Sequence, residues 1–70
     1  MEEKMLKQNI TRLDIKDNLI DTLKENNINN IGELCKRSKK DLKHLGILPN
    51  QADKIEIELQ LLGLNLKNSL

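Results

Sequence analysis

The chain is 70 residues long, which limits it to one small domain. Its formal net charge of +1 is too balanced to predict polyanion binding from the total alone, so the distribution of the charges must decide. Its apolar residues are chiefly 14 Leu and 8 Ile, it has no Val, Phe, Trp or Tyr, and 33% of its residues are charged. This composition predicts an all-α fold and disfavours base stacking on single-stranded nucleic acid.

The cysteine and histidine content and the hydropathy pattern exclude further classes of protein. The single Cys35 cannot form an internal disulfide, and together with the single His44 it cannot complete a zinc site. No apolar run approaches the roughly 20 residues of a membrane span, and the acidic start does not resemble a signal peptide. We therefore expect a cytoplasmic domain that uses no metal or other cofactor, contacts no membrane and has no small-molecule substrate.

The first predicted element follows a polar N-terminal stretch. Residues 1–12 have only scattered apolar positions and are expected to be a linker end or an N-terminal arm, with the domain itself spanning 13–70. Asp17 is a residue type that favours an N-cap, and apolar residues then recur at helical spacing as far as a pair of Asn residues. We predict the first helix near 17–26.

Two capping patterns predict the next two helices. Asn30 and Ser38 are each followed three residues later by an acidic residue, which is typical of a capping box. The second helix is therefore predicted at about 31–36 and the third at about 39–45. Gly46 can take the left-handed conformation that ends a helix.

The last predicted helix runs from 49 or 50 to 62, because Pro49 suits a first helical turn and Gly63 suits a C-terminal cap. Its helical periodicity places four apolar residues on one face, which we assign to the core: Ala52, Ile55, Leu59 and Leu62. Ile57 and Leu61 point the other way. Three interpretations stay open: they are single exposed apolar residues that the fold tolerates, or a chain terminus covers them, or they belong to a surface that binds a partner.

The predicted fold is thus a compact bundle of four short helices, and its last two helices are joined by a tight turn of the form apolar-Gly-apolar. The segment from Leu45 to Ile55 has the pattern of a helix-hairpin-helix. Such a turn exposes backbone N–H groups beside a helix N-terminus, where a DNA phosphate is held without a base contact. Any helical turn containing Gly and Pro imitates this motif, so its specificity is moderate.

A longer series of residues runs over about 9–66 without a gap, and its most distinctive parts are Ile-Gly-Glu-Leu at 31–34 and Leu-Gly-Leu-Asn-Leu at 62–66. This series resembles the C-terminal domain of the bacterial RNA polymerase alpha subunit. It implies a SAM-like four-helix domain tethered by a linker to the rest of RNA polymerase. Such a domain contacts upstream promoter DNA, transcription activators and sigma factor. The parent enzyme is a nucleotidyltransferase, but the domain itself is not catalytic.

The family's DNA-contacting residues are only partly present at the start of the first helix. Where the family usually has Arg this chain has Asn18, and where the family has Asn it has Asp21, followed by Thr22. A carboxylate repels phosphate, and an amide cannot replace a guanidinium in a narrow minor groove. We therefore expect binding to A·T-rich DNA that is weaker and less sequence-selective than is usual in the family.

The hairpin departs from the family in the same way. The family's Gly falls at Leu48, its Lys at Asn50, its Ser at Gln51 and its acidic residue at Lys54. The resemblance implies a set of DNA-binding candidates in which Leu48 acts through its backbone: Asn18, Thr22, Leu48, Asn50, Gln51 and Lys54.

A run of basic residues, the basic cluster, is the strongest local charge feature and consists of Lys36, Arg37, Lys39, Lys40, Lys43 and His44. It is either the solvated face of the second and third helices or a surface for phosphates or an acidic partner. His44 suits a helix C-terminus better than a catalytic role. Cys35 is predicted to be a small buried apolar residue.

Two further functions stay open. One is a helix-hairpin-helix protein-interaction module that has lost DNA binding and uses Ile57, Leu61 or the basic cluster. The other is a piece of a repair nuclease or ligase, whose activity would lie elsewhere, because the sequence offers no catalytic carboxylate pair, activated nucleophile or phosphate-binding loop.

Overall fold

The computed structural model describes residues 2–68, and these fold into five α-helices and one short 3-10 helix. In chain order they are α1 (Glu2–Lys7), the 3-10 helix (Ile10–Arg12), α2 (Asp17–Glu25), α3 (Ile31–Cys35), α4 (Lys39–His44) and α5 (Pro49–Leu61). The part of the chain described contains no β-strand, so the all-α prediction is confirmed. The prediction of four helices is wrong, because the expected arm contributes the additional helix α1.

Helices α3 and α4 begin at local side-chain caps. Asn30 Oδ1 accepts a hydrogen bond from the Glu33 N–H at 2.8 Å. Ser38 and Asp41 form a complete capping box, with backbone-to-side-chain bonds of 3.1 and 3.0 Å. Asp17 is not the N-cap that we predicted. Lys16 occupies that position in an extended conformation, so the Asp17 carboxylate lies in the first turn, where it interacts favourably with the helix dipole.

Three helices end on a residue in the left-handed conformation, namely Asn27, Gly46 and Gly63. In each case the next residue donates its N–H to a carbonyl five positions earlier. Examples are Ile28 to Leu23 at 2.9 Å and Ile47 to Leu42 at 3.1 Å. This pattern is a Schellman motif, and it turns the following apolar residue back toward the core.

Among the described residues, fourteen apolar side chains form one buried core, and α5 contributes Ala52, Ile55 and Leu59 as predicted. Leu62 packs against the core but is only partly buried. Ile57 and Leu61 are 50% and 74% exposed, which confirms that they point away from the core.

The expected arm is packed against the domain. The Ile10 side chain is fully buried in the core. Its N–H bonds to the Asn29 carbonyl at 3.1 Å, and the Ile31 N–H bonds to the Gln8 carbonyl at 2.9 Å. At Gly32 a Cβ atom would lie 3.1 Å from the Leu6 carbonyl oxygen. Glycine therefore lets α1 approach α3 closely.

Candidate nucleic-acid interface

The α4–α5 hairpin is fixed by its turn. Gly46 has φ of +88°, and the following Ile47 side chain is buried. Leu48 is extended at the N-cap of α5, and Pro49 is the first helical residue. The turn therefore orients the first turn of α5 relative to α4.

An open groove of about 520 Å³ lies where the first turn of α5 meets the start of α2. Its lining residues are Asp14, Ile15, Lys16, Leu19, Asn50, Gln51 and Lys54. We call it the N-terminal groove, because two helix N-termini converge on it. The partial positive charge of a helix N-terminus favours anions, and Lys16 and Lys54 add cationic groups.

Glu58 joins the two sides of this groove and offsets part of its positive charge. Its carboxylate accepts the Asp14 N–H at 3.0 Å and lies 3.3 Å from Lys54 Nζ. The Glu58 side chain is only 12% exposed. Lys54 is therefore an ion-paired cation rather than a free one, and a phosphate would compete with Glu58 for it.

The hairpin backbone donor predicted to meet a phosphate already has a partner. The Leu48 N–H donates to Gln51 Oε1 at 3.0 Å, as in the second half of a capping box. A phosphate at Leu48 would have to replace this bond. The Leu48 side chain is 57% exposed, so the hairpin presents an apolar group beside the N-terminal groove.

Asn18 and Thr22 lie one turn apart on α2, and neither lines the N-terminal groove. The Thr22 hydroxyl donates to the Asn18 carbonyl at 3.0 Å, so its proton is used within the helix. The structure thus brings Asn50, Gln51 and Lys54 to one groove and leaves Asn18 and Thr22 beside it.

Acidic residues lie next to part of the basic cluster. Lys39 Nζ lies 2.9 Å from the Asp53 carboxylate and 3.1 Å from that of Glu56. Both hydrogen bonds stabilise the charged form of Lys39 and raise its pKa, and the bond with Asp53 contributes more than the bond with Glu56. Lys36 and Arg37 share a surface depression with two acidic residues, Glu33 and Asp41.

The remaining cluster residues, Lys40, Lys43 and His44, are exposed. The two lysines form no ion pair with any residue in the described range. Cys35 is half-buried against the core. Burial raises the pKa of its thiol, which disfavours the reactive thiolate.

The sequence did not identify Lys16 as a lining residue of the N-terminal groove, nor Glu58 as the residue that links its two sides. The spacing of Lys54 and Glu58 was a signal for an ion pair within one helix. The bond from Asp14 to Glu58 spans 44 positions, and no local pattern indicates it. Lys16 gives no signal of its own, because Asp17 next to it is the residue type that favours an N-cap.

Among residues 2–68, no group of three or more His, Cys, Asp or Glu side chains is arranged to hold a metal ion. Within that same range no helix has both the length and the apolar character to cross a membrane. The chain matches no protein-family model and no curated protein.

Proposed function

We propose that this chain is a non-catalytic DNA-recognition domain of the kind found at the C-terminus of the bacterial RNA polymerase alpha subunit. The observation that carries the proposal is the N-terminal groove, where the first turns of α2 and α5 meet with Lys16 and Lys54 at its lining. Two helix N-termini and two ammonium groups favour backbone phosphates of duplex DNA at this groove. Asp14 in the lining and Asp17 in the first turn of α2 reduce that attraction.

The proposed domain acts by tethering in the bacterial cytoplasm, where the rest of the polymerase holds it beside upstream promoter DNA. A linker raises the effective concentration of the domain at the promoter, so a weak contact contributes to recruitment. An activator or sigma factor that touches both the domain and the DNA adds further affinity. The ion pair of Lys54 with Glu58 at 3.3 Å and the occupied Leu48 N–H support weak contact.

The test is a titration of the ¹⁵N-labelled chain with an A·T-rich duplex, followed by amide chemical shifts and repeated at several salt concentrations. We expect a Kd on the order of 10⁻⁴ M at physiological salt, in the range of non-specific binding. Shifts should concentrate at residues 14–19 and 48–54. Shifts confined to 36–44 would contradict the site, and no shift in any residue would favour a protein-interaction module.

Matched lysine variants separate a local contact from a net-charge effect. Lys54→Gln removes a cation from the N-terminal groove, whereas Lys7→Gln removes an exposed cation from α1. We expect Lys54→Gln to weaken binding and to reduce the salt slope by about 0.9, and Lys7→Gln to change both less. Equal effects of the two substitutions would refute a specific role for the groove.

Two further variants are expected to strengthen binding. Glu58→Gln keeps an oxygen for the Asp14 N–H but removes the carboxylate that competes with phosphate for Lys54. The pair Asn18→Arg and Asp21→Asn adds an attractive charge in the first turn of α2 and removes a repulsive one in its second turn. If neither variant raises the affinity for duplex DNA, the interface has been placed on the wrong surface.

A further inference from the structure

A second groove, of about 400 Å³, lies on the α4–α5 hairpin and is separate from the N-terminal groove. We call it the lysine groove. It is lined chiefly by Lys39, Lys40, Lys43, Ile47, Pro49 and Ala52. Ile47 and Ala52 are core residues that are each only 3% exposed, so Pro49, which is exposed, provides most of the apolar surface of the groove floor. The groove therefore combines an apolar floor with a wall of ammonium groups from α4.

The charges around the lysine groove are unevenly compensated. Lys39 is held by Asp53 at 2.9 Å and Glu56 at 3.1 Å, which ties the start of α4 to α5. Lys40 and Lys43 are exposed and form no ion pair with a described residue. Two uncompensated cations one helical turn apart thus stand beside the apolar floor.

The groove is largely formed before any partner arrives. The Ile47 N–H is bonded to the Leu42 carbonyl at 3.1 Å, and Lys39 bridges α4 and α5. A preformed hairpin loses little conformational entropy on binding. The ordering cost falls mainly on the partner and on the two lysine side chains.

We propose that the lysine groove binds an acidic segment of a partner protein that carries an apolar side chain between its carboxylates. The carboxylates would pair with Lys40 and Lys43, and the apolar side chain would pack on Pro49 at the groove floor. DNA phosphates match this surface less well. They offer no apolar group for the floor. The Asp53 carboxylate, which also lines the groove, disfavours phosphates and carboxylates alike and is itself paired with Lys39 at 2.9 Å.

The probe is a synthetic fluorescent dodecapeptide with the repeat Asp-Leu-Glu, compared with a peptide of equal charge in which Ser replaces Leu. Binding is measured by fluorescence anisotropy and mapped by amide shifts in the full chain. We expect the Leu peptide to bind at least tenfold more tightly than the Ser peptide and to change the amide chemical shifts of residues 39–43 and 47–52. Equal binding of the two peptides would overturn the proposal.

Charge-matched variants complete the test. The double variant Lys40→Gln with Lys43→Gln should lower the affinity for the Leu peptide about tenfold. The control, Lys36→Gln with Lys67→Gln, removes the same charge outside the groove and should lower that affinity much less. All four lysines are exposed, so folding is preserved and is checked by circular dichroism. Equal losses in the two double variants would refute a specific groove.

Competition with duplex DNA distinguishes this proposal from the proposed function. The peptide should stay bound when DNA occupies the N-terminal groove, and either site can fail without the other. Displacement of the peptide by DNA, with DNA shifts at residues 39–43, would identify the lysine groove as a phosphate surface and overturn the acidic-partner assignment.

Discussion

Replacing Gly46 tests the turn that connects α4 to α5. Gly46 has φ of +88°, and a Cβ atom built on it meets no heavy atom within 4 Å. Gly46→Ala therefore introduces no steric clash with the rest of the protein, and its cost is the left-handed backbone conformation alone. The left-handed conformation of an L-residue costs roughly 1–2 kcal/mol of conformational free energy.

We accordingly expect Gly46→Ala to lower the free energy of unfolding by about 1 kcal/mol. A change of that size lowers the Tm of a domain of this length by about 4–8 °C. The assay is urea denaturation followed by far-ultraviolet circular dichroism. The transition midpoint should fall while the slope stays constant, because the surface exposed on unfolding is unchanged.

Two matched variants define the result that would refute this reasoning. Gly46→Asn should cost less than Gly46→Ala, because Asn tolerates the left-handed region better. Asn27 has φ of 63°, so Asn27→Gly should leave stability within about 0.5 kcal/mol or raise it. If Gly46→Ala were as stable as the parent protein, the left-handed turn would not form in solution.

Two other predictions concern the N-terminal segment and acid stability. Ile10→Ala should lower the free energy of unfolding by about 2–5 kcal/mol, because Ile10 is fully buried; in urea denaturation, a loss below about 1 kcal/mol would exclude this residue from the cooperative core. Hydrogen bonds from Ser38 lower the pKa of Asp41, so its carboxylate stabilises the fold above about pH 4, and this contribution is lost as the pH falls through the folded-state pKa. The stability difference between the parent and Asp41→Asn should thus be constant from pH 5 to 7 and shrink in acid, and a difference that does not change with pH would contradict this sign.

The helical architecture and its local signals were predictable because they depend on residues close in sequence. Asn30 and Ser38 cap α3 and α4 through bonds that span three positions, and Gly46 and Gly63 adopt the expected left-handed conformation. Each predicted helix after the arm extends one residue past the observed end, onto the C-cap residue. A cap keeps near-helical geometry without extending the hydrogen-bond ladder.

Composition alone determined that this protein is all-α, because a chain with Leu and Ile but no Val or aromatic residue favours helices over sheets. Only the tertiary structure decided how its charges are distributed. It placed Glu58 between Asp14 and Lys54, paired Lys39 with α5 and left Lys40 unpaired among the described residues. Net charge and local spacing cannot reveal such pairs, because they form where distant segments meet in the folded chain.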